Sequence, residues 1–468
     1  MKISFHGAAK GVTGSCHLLD CAGLKILIDC GMFQGSRHAD EDNSDDFGFD
    51  PSDIDFLLLS HAHLDHCGRI PLLVKRGFEG EIITTAATRE LAKLIMMDSA
   101  HIQEEDASRA SRHRRRQGRA GIEPLYDVSD ALRALDYFTR NIRYEDPLAL
   151  NDQVSVRFID AGHILGSASI VIEASEKGQT RRIVFSGDLG NRGHEVLADP
   201  SPPPEADFVV VETTYGDRQH KSLEASVAEL LDAIRQTLAR GGNVVIPTFA
   251  LERAQEILFH LKIATERGEL PRSLPVFLDS PMAVSATKIF QRQAEGFRPE
   301  LRDAMRAGKH PFTLPGLRYT RQVAESRAIN NVKSGAVIMA GSGMCTGGRV
   351  KHHLKHNIWR PESSVIFVGF AAEGTPARKI IDGAKTIRLY GEEITINAHI
   401  HTINGFSAHA DQQELLEWLS HTGKPQKTFL VHGDPERGMK KFRDKLAARD
   451  FATHTPVLHE VVDLLAQT

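Results

Sequence analysis

Apolar and polar positions along the first third of the chain fall into short runs closed by Gly, Asp or Ser. KISFHGA, LKILIDCG, DIDFLLLS, VSVRFIDA, RRIVFSGD and DFVVVET each read as a strand. Several are followed at once by a polar residue able to do chemistry, the layout of a sheet whose strand ends carry a site. From about residue 222 the pattern changes to strand–helix units. SVAELLDAIRQTLARGG and LERAQEILFHLKIATERG read as helices around the strand NVVIPTFA. VFLDSP, AVIMAGSGM and SVIFVGF are further strands, with RVKHHLKHN and TPARKIIDG as helices. Buried strands alternating with amphipathic helices predict a mainly parallel sheet joined by right-handed crossovers. After about residue 396 the strand-end His pattern returns in INAHIHTINGFSAHAD and TFLVHGD. The order predicts a site-bearing domain over 1–212, an inserted α/β domain over 213–395 and completion of the first domain over 396–468. No internal repeat is visible.

Composition narrows the class. The chain has 468 residues, 41% of them hydrophobic and 25% charged, ordinary for a globular protein of two or three domains. Cys16, Cys21, Cys30, Cys67 and Cys345 form no CxxC pair, which fits free thiols in a reducing cytoplasm. The start, MKISFHGAAKGVTGS, has no cationic flank before an apolar run, so no signal peptide is expected. The apolar runs are strand-length, so no membrane span is expected and the protein is placed in the cytoplasm. A formal net charge of −4 excludes binding of nucleic acid over the whole surface; any such contact must be local or metal-assisted. The segment SRASRHRRRQGRAG, 108–121, holds six arginines. It reads either as a solvated loop or frayed helix end, or as a phosphate-contacting edge.

The strongest chemical signal is Ser60-His61-Ala62-His63-Leu64-Asp65-His66, directly after the strand DFLLL and before the helical GRIPLLVKRG. An extended turn presents His61 and His63 to one ion, and Asp65 and His66 face a second ion nearby. Imidazole with carboxylate suits zinc, and without paired thiolates a structural Cys-type site is excluded. One loop does not close two sites, and further ligands are offered at strand ends by His163 in DAGHILGSA, Asp188 in FSGDLG and His432 in LVHGD. Each of these alone reads as a cap or turn residue; together they complete two centres. His61, His63 and His163 are expected on one Zn2+, Asp65, His66 and His432 on the other, with Asp188 bridging.

HAHLDH, the GH of 162–163, the SGD of 186–188 and Asp29 in LIDCG resemble the motifs of the metallo-β-lactamase superfamily. Glu212 in VETTYG, His409 in GFSAHAD and His432 in VHGDP resemble the three extra motifs of its β-CASP nucleases. IPTFALERAQE, LDSPMA and GSGMCTGGR resemble segments of the β-CASP insert. The resemblance runs from residue 1 to about 440 and is to the short bacterial and archaeal members. These are similar to the nuclease subunit of the pre-mRNA 3′-end cleavage machinery. It implies an αββα metallo-β-lactamase sandwich with an inserted β-CASP domain and a zinc-dependent nuclease. RNA is implied because RNA-acting members carry His at the third extra motif, where DNA-acting relatives carry an apolar residue.

Two zinc ions would generate a metal-bridging hydroxide and clamp a phosphodiester from both sides, with Asp65 and Asp188 in the catalytic centre. His409, oriented by Glu212, is expected to protonate the leaving oxygen, a pairing the resemblance also implies; the alternative for His409 is a turn residue in a small-residue loop. Asp29 is expected behind a ligand His, taking its free N–H. Gly341, Ser342 and Gly343, in a strand-to-helix turn, offer backbone N–H groups to a phosphate, with Arg349 and Ser407 as further contacts; the same turn also reads as purely structural. RNA is expected as a single strand, and with few aromatics, 6%, base readout is limited and the phosphate backbone does most of the binding. A homodimer is expected from the resemblance, with TFLV, ERGMKKFRDKL and HEVVDLLAQT as its surface. A small-molecule metallo-hydrolase, a DNA nuclease and an inactive binding subunit are the rival readings.

Overall fold

Two seven-stranded sheets frame the first of two compact units in the computed structural model, which describes residues 1–35, 38–369 and 371–466. This unit comprises Met1–Arg192, Ala198–Gln219 and His409–Thr468; the second comprises Gly193–Leu197 and His220–Ala408. The first sheet runs Val461–Asp463, Lys2–Gly7, Cys16–Cys21, Leu24–Ile28, Phe56–Leu58, Glu81–Thr84, Arg140–Asn141. It is antiparallel as far as Leu24–Ile28 and parallel beyond. The second runs Thr453–His454, Lys427–Val431, Phe208–Glu212, Gln179–Phe185, Ala168–Glu176, Val154–Asp160, Leu148–Ala149. Within it Val154–Asp160, Gln179–Phe185, Phe208–Glu212 and Lys427–Val431 share one direction. The residues that follow these four strands therefore emerge along one edge.

Strand alternation builds the core. Ile26, Ile28, Leu58 and Ile83 of the first sheet meet Phe158, Ile170, Ile172, Phe185, Val210 and Phe429 of the second. Their neighbours Leu27, Leu57 and Ile82 point to the other face and are also fully buried, as expected of strands covered on both sides. On the outer face of the second sheet, Val171, Val184, Val209 and Val211 pack against Leu415, Leu419, Phe442 and Leu446 of the helices Gln412–Ser420 and Lys440–Ala447. The arginine-rich segment is helical as far as Arg116, as the end of a 31-residue helix, Ala86–Arg116. Val461–Asp463, within HEVVDLLAQT, is an edge strand paired with Lys2–Ser4. Among the described residues no helix is long and apolar enough to cross a membrane.

The second unit is built on a six-stranded sheet, Leu317–Tyr319, Val276–Leu278, Val337–Ala340, Val244–Pro247, Ser364–Val368, His399–Ile403, with every pairing parallel. The expected two-sheet sandwich and mainly parallel inserted sheet are both present. His399–Ile403 pairs with Ser364–Val368, so this unit continues past residue 395 to Ala408.

One helix of this unit, Arg253–Glu266, is buried along most of its length although it carries Arg253, Glu256 and His260. Glu256 is paired with Arg253 and lies 3.3 Å from His194, while His260 lies 3.6 Å from Glu195. These contacts, with the bond from Arg298 N–H to the Val196 carbonyl, hold the short segment Gly193–Leu197 in the second unit. Burial pushes the Glu256 carboxyl up, but the Arg253 and His194 charges overcome it and hold the pKa at about 2. Removing one partner of a buried pair strands the other charge in a low-dielectric interior, which costs about 3–5 kcal/mol. Glu256→Gln is therefore predicted to destabilise the second unit by about that amount, read as a shift in urea midpoint. The wild-type contribution is complete above the ordinary Glu value of 4.5 and is lost as pH falls from there towards about 2. A midpoint unchanged in the variant at pH 7 would contradict the pairing.

Candidate metal centre

The strand Phe56–Leu58 leads into an extended stretch that ends at His63, the N-cap of the short helix Leu64–Cys67. His61 and His63 thus precede the helix, and Asp65 and His66 lie in its first turn. His163 follows Val154–Asp160, Asp188 follows Gln179–Phe185, Glu212 ends Phe208–Glu212 and His432 follows Lys427–Val431. Two close backbone approaches bring these loops together. A Cβ on Gly31 would stand 1.6 Å from the Asp65 carbonyl oxygen, and one on Gly190 would stand 1.9 Å from that of Gly162. Only glycine fits at either place.

The ligand-type atoms converge in two sets. His63 Nδ1 lies 3.2 Å from His61 Nε2 and 3.1 Å from His163 Nε2. Asp188 Oδ2 lies 3.5 and 3.6 Å from the same two Nε2 atoms. In the second set, His66 Nε2 is 3.2 Å from His432 Nε2, which is 3.3 Å from Asp65 Oδ2. Asp188 Oδ1 closes this set at 3.4 Å from His66 Nε2, and among the described residues this buried atom has no hydrogen-bond partner. A tetrahedral zinc ion with bonds of about 2.0–2.1 Å holds its ligand atoms about 3.3–3.4 Å apart. Both sets have edges on that scale, so the donor atoms fit a metal ion in chemistry and in spacing.

Electrostatics separates the two sets. Burial pushes the imidazoles of His61, His63 and His163 down, that of His63 to about 3, and neighbouring His rings add to the effect. These rings are neutral, the form that binds metal. Burial also opposes charge on His66 and His432, but Asp188, with Asp29 for His66 and Asp65 for His432, raises both. Asp188 is held well below the usual carboxylate range, because the His432 and His66 charges outweigh its burial.

A second layer fixes these rings. Asp29, buried with φ +59°, accepts the Ser60 N–H, the Ser60 hydroxyl and the His66 Nδ1–H, the last at 2.7 Å. That leaves His66 Nε2 facing the second set. Thr214 Oγ1 lies 3.1 Å from His432 Nδ1, and Ser167 Oγ accepts the His163 N–H. His409 Nδ1 lies 3.2 and 3.3 Å from the two Glu212 oxygens, and its side chain remains 21% exposed. Glu212 also accepts the Leu189 N–H, so its carboxylate is committed to orientation. Burial lowers the His409 pKa, but the charge of Glu212 and its hydrogen bond overcome that and leave it at about 9.

Ser407, Gly341, Ser342, Gly343 and Arg349 belong to the second unit. There the Ser342 N–H donates to the Gly347 carbonyl and the Cys345 N–H to the Ser342 carbonyl. The Arg349 guanidinium is held by Asp279 and by the Thr320 and Arg321 carbonyls. Ser60, Thr214, Ser167 and Tyr215, whose ring stands edge-on to His409, were not anticipated. Ser60 heads the HAHLDH run, Thr214 and Tyr215 follow Glu212 in VETTYG, and Ser167 lies in DAGHILGSA, so adjacency to a recognised motif is the usable signal for all four.

Fold and clustered His and Asp donors together define a candidate metal-dependent hydrolase. The metallo-beta-lactamase superfamily matches residues 9–248, the Beta-Casp domain 254–380, and the Zn-dependent metallo-hydrolase RNA specificity domain 393–456. The chain belongs to the metallo-beta-lactamase superfamily, in the branch that carries these two domains. It is 42% identical to Ribonuclease TTHA0252 of Thermus thermophilus over 437 residues, 93% of this chain and 94% of that protein. It is 30% identical to the transcription termination factor FttA of Methanocaldococcus jannaschii, over 93% of this chain and 67% of that protein. In fold alone it is similar to a protein of unknown function from Enterococcus faecalis V583, with a TM-score of 0.57 at 14% identity, covering 98% of this chain and 99% of that one.

Partners behind metal-binding imidazoles typically change metal affinity 10–100-fold. Asp29→Asn is predicted to weaken zinc binding by about that factor, measured by competition with a chelating dye. Unchanged zinc affinity would exclude Asp29 from orienting His66.

Proposed function

We propose that the protein hydrolyses RNA phosphodiester bonds with two zinc ions, the first held by His61, His63, His163 and Asp188, the second by Asp65, His66, His432 and Asp188. Its class is that of a metal-dependent nuclease of RNA processing, supported by the three domain matches and by relatives named as ribonuclease and termination factor. One observation carries the two-ion reading. The two oxygens of the Asp188 carboxylate each lie within 3.4–3.6 Å of imidazole nitrogens of a different ligand set. When bound, zinc supplies Lewis acidity, which lowers the pKa of water and neutralises phosphate charge.

The chain's own residues do the rest. Glu212 holds His409 at Nδ1, which leaves Nε2 as the atom that gives a proton to the leaving oxygen. Its negative charge favours the protonated ring. The RNA specificity match spans both His409 and His432, which supports RNA over DNA. The RNA is taken as a single strand, and with aromatics at 6% it is gripped mainly by its phosphates rather than by base stacking. The homodimer is proposed to form at the edge strand Val461–Asp463, where Val457, Leu458 and Val461 are exposed.

Activity is tested on 5′-labelled RNA and DNA of one sequence, beside bis-p-nitrophenyl phosphate and a thioester. RNA cleavage abolished by a chelator and restored by zinc is the expected result; thioester hydrolysis alone would favour the small-molecule reading. Asp188→Ala is predicted to lose zinc and activity together. His409→Ala is predicted to keep its zinc and slow RNA turnover by about 10²–10⁴-fold. Wild-type turnover in His409→Ala would remove the leaving-group role.

A further inference from the structure

The arginine-rich end of Ala86–Arg116 is a built feature. No side chain between His101 and Leu125 is buried, yet the helix continues for 16 residues past Ala100, about 24 Å at 1.5 Å per residue. The chain then returns along the helix and is pinned to it. Arg114 Nε donates to the Ala120 carbonyl, Ser111 Oγ bonds both polar groups of the Ile122 backbone, and the Val128 N–H donates to Glu104. The result is a helical prong with a hydrogen-bonded return.

Its charge is one-sided. No acidic residue occurs between Asp106 and Glu123. Arg109 is paired with Asp106 and Glu105, whereas among the described residues no ion pair engages Arg112, Arg114, Arg115, Arg116 or Arg119. Arg112, Arg115 and Arg116 stand at i, i+3 and i+4, where like charges repel and weaken the helix. A cation in the last turn complements the helix dipole, but that stabilisation falls off within one turn and does not account for Arg112 or Arg119. A polyanion would relieve the repulsion. Along the prong only Ile102 and Ile122 are exposed large apolar residues, too little for a hydrophobic protein contact.

The root of the same helix is bonded to the loop that carries His163. Thr85 and Thr88 both donate from Oγ1 to the Gly166 carbonyl at 2.8 Å, three residues after His163. Arg112 is 27 residues from Thr85, about 40 Å along the helix axis. A strand of repeating phosphates is long enough to engage both ends at once.

We propose that Arg112, Arg115, Arg116 and Arg119 form a secondary binding site for the RNA phosphate backbone, remote from the cleavage centre. The proposal rests on the ribonuclease reading and adds length-dependent recognition to it. Gln keeps helix propensity while removing charge, so the test is the fourfold Arg→Gln variant beside the fourfold Arg→Lys variant. Binding and cleavage of a long RNA, cleavage of a short oligonucleotide and hydrolysis of bis-p-nitrophenyl phosphate are measured across a salt series. The Gln variant is expected to bind the long RNA about 10- to 100-fold more weakly. Its log–log salt slope should be smaller by about two to three, at about 0.7 for each phosphate no longer neutralised. Short-oligonucleotide cleavage and phosphodiester turnover are expected to stay at wild-type levels, and the Lys variant to bind like wild type. An unchanged salt slope on long RNA overturns the proposal, as does loss of binding to phosphatidylserine–phosphatidylcholine vesicles with RNA binding intact. If wild type cleaves bis-p-nitrophenyl phosphate but no RNA, the ribonuclease reading fails, while the binding series still reports on the prong.

Discussion

Donor atoms of five imidazoles and two carboxylates crowd to within 3.1–3.6 Å of their nearest neighbours. Buried polar atoms left without partners destabilise a fold by about 1–3 kcal/mol each, and like-charged neighbours add to that. Such a cluster persists only because the surrounding sandwich supplies the burial that holds it. The same burial keeps the rings of His61, His63 and His163 neutral, so the cost to folding is also the condition for metal binding.

Backbone strain is concentrated at the same place. Asp29 at φ +59° and His432 at φ +49° both sit in the left-handed region immediately after a strand. Side-chain-bearing residues there cost about 1–3 kcal/mol. The bend lets Asp29 reach His66 and Ser60 at once, and it turns His432 back over Asp65 and His66. Gly31 and Gly190 serve the same end by letting loops approach closer than a Cβ permits. Strand polarity sets the edge, glycines set the spacing, and the two strained residues aim the donors.

The second unit meets a different problem, since its buried helix carries Arg253, Glu256 and His260. Nothing in LERAQEILFHL announces that its charged positions face inward, because a run of this polarity ordinarily marks a solvated helix face. Their burial follows from partners far away in sequence, His194 and Glu195, which lie in the segment soon after Asp188. The prong was ambiguous for a related reason. Charge composition predicts solvation equally well for a loop and for a helix, and only the return segment's hydrogen bonds distinguish them.

Local order was legible in the chain: strand-length apolar runs, the change of period near residue 222, and polar residues of metal-binding type at strand ends. Those are properties of short windows, where side-chain periodicity and chemistry can be read directly. Which donor faces which was decided by tertiary structure. Asp188 faces both donor sets because its strand runs in the same direction as those ending near His163 and His432, and because the 61–66 loop of the other sheet reaches the same place. Orientation of ring nitrogens, the roles of Ser60 and Thr214, and the burial of Glu256 depend on contacts between segments tens to hundreds of residues apart. No local pattern encodes a distance of that kind; packing does.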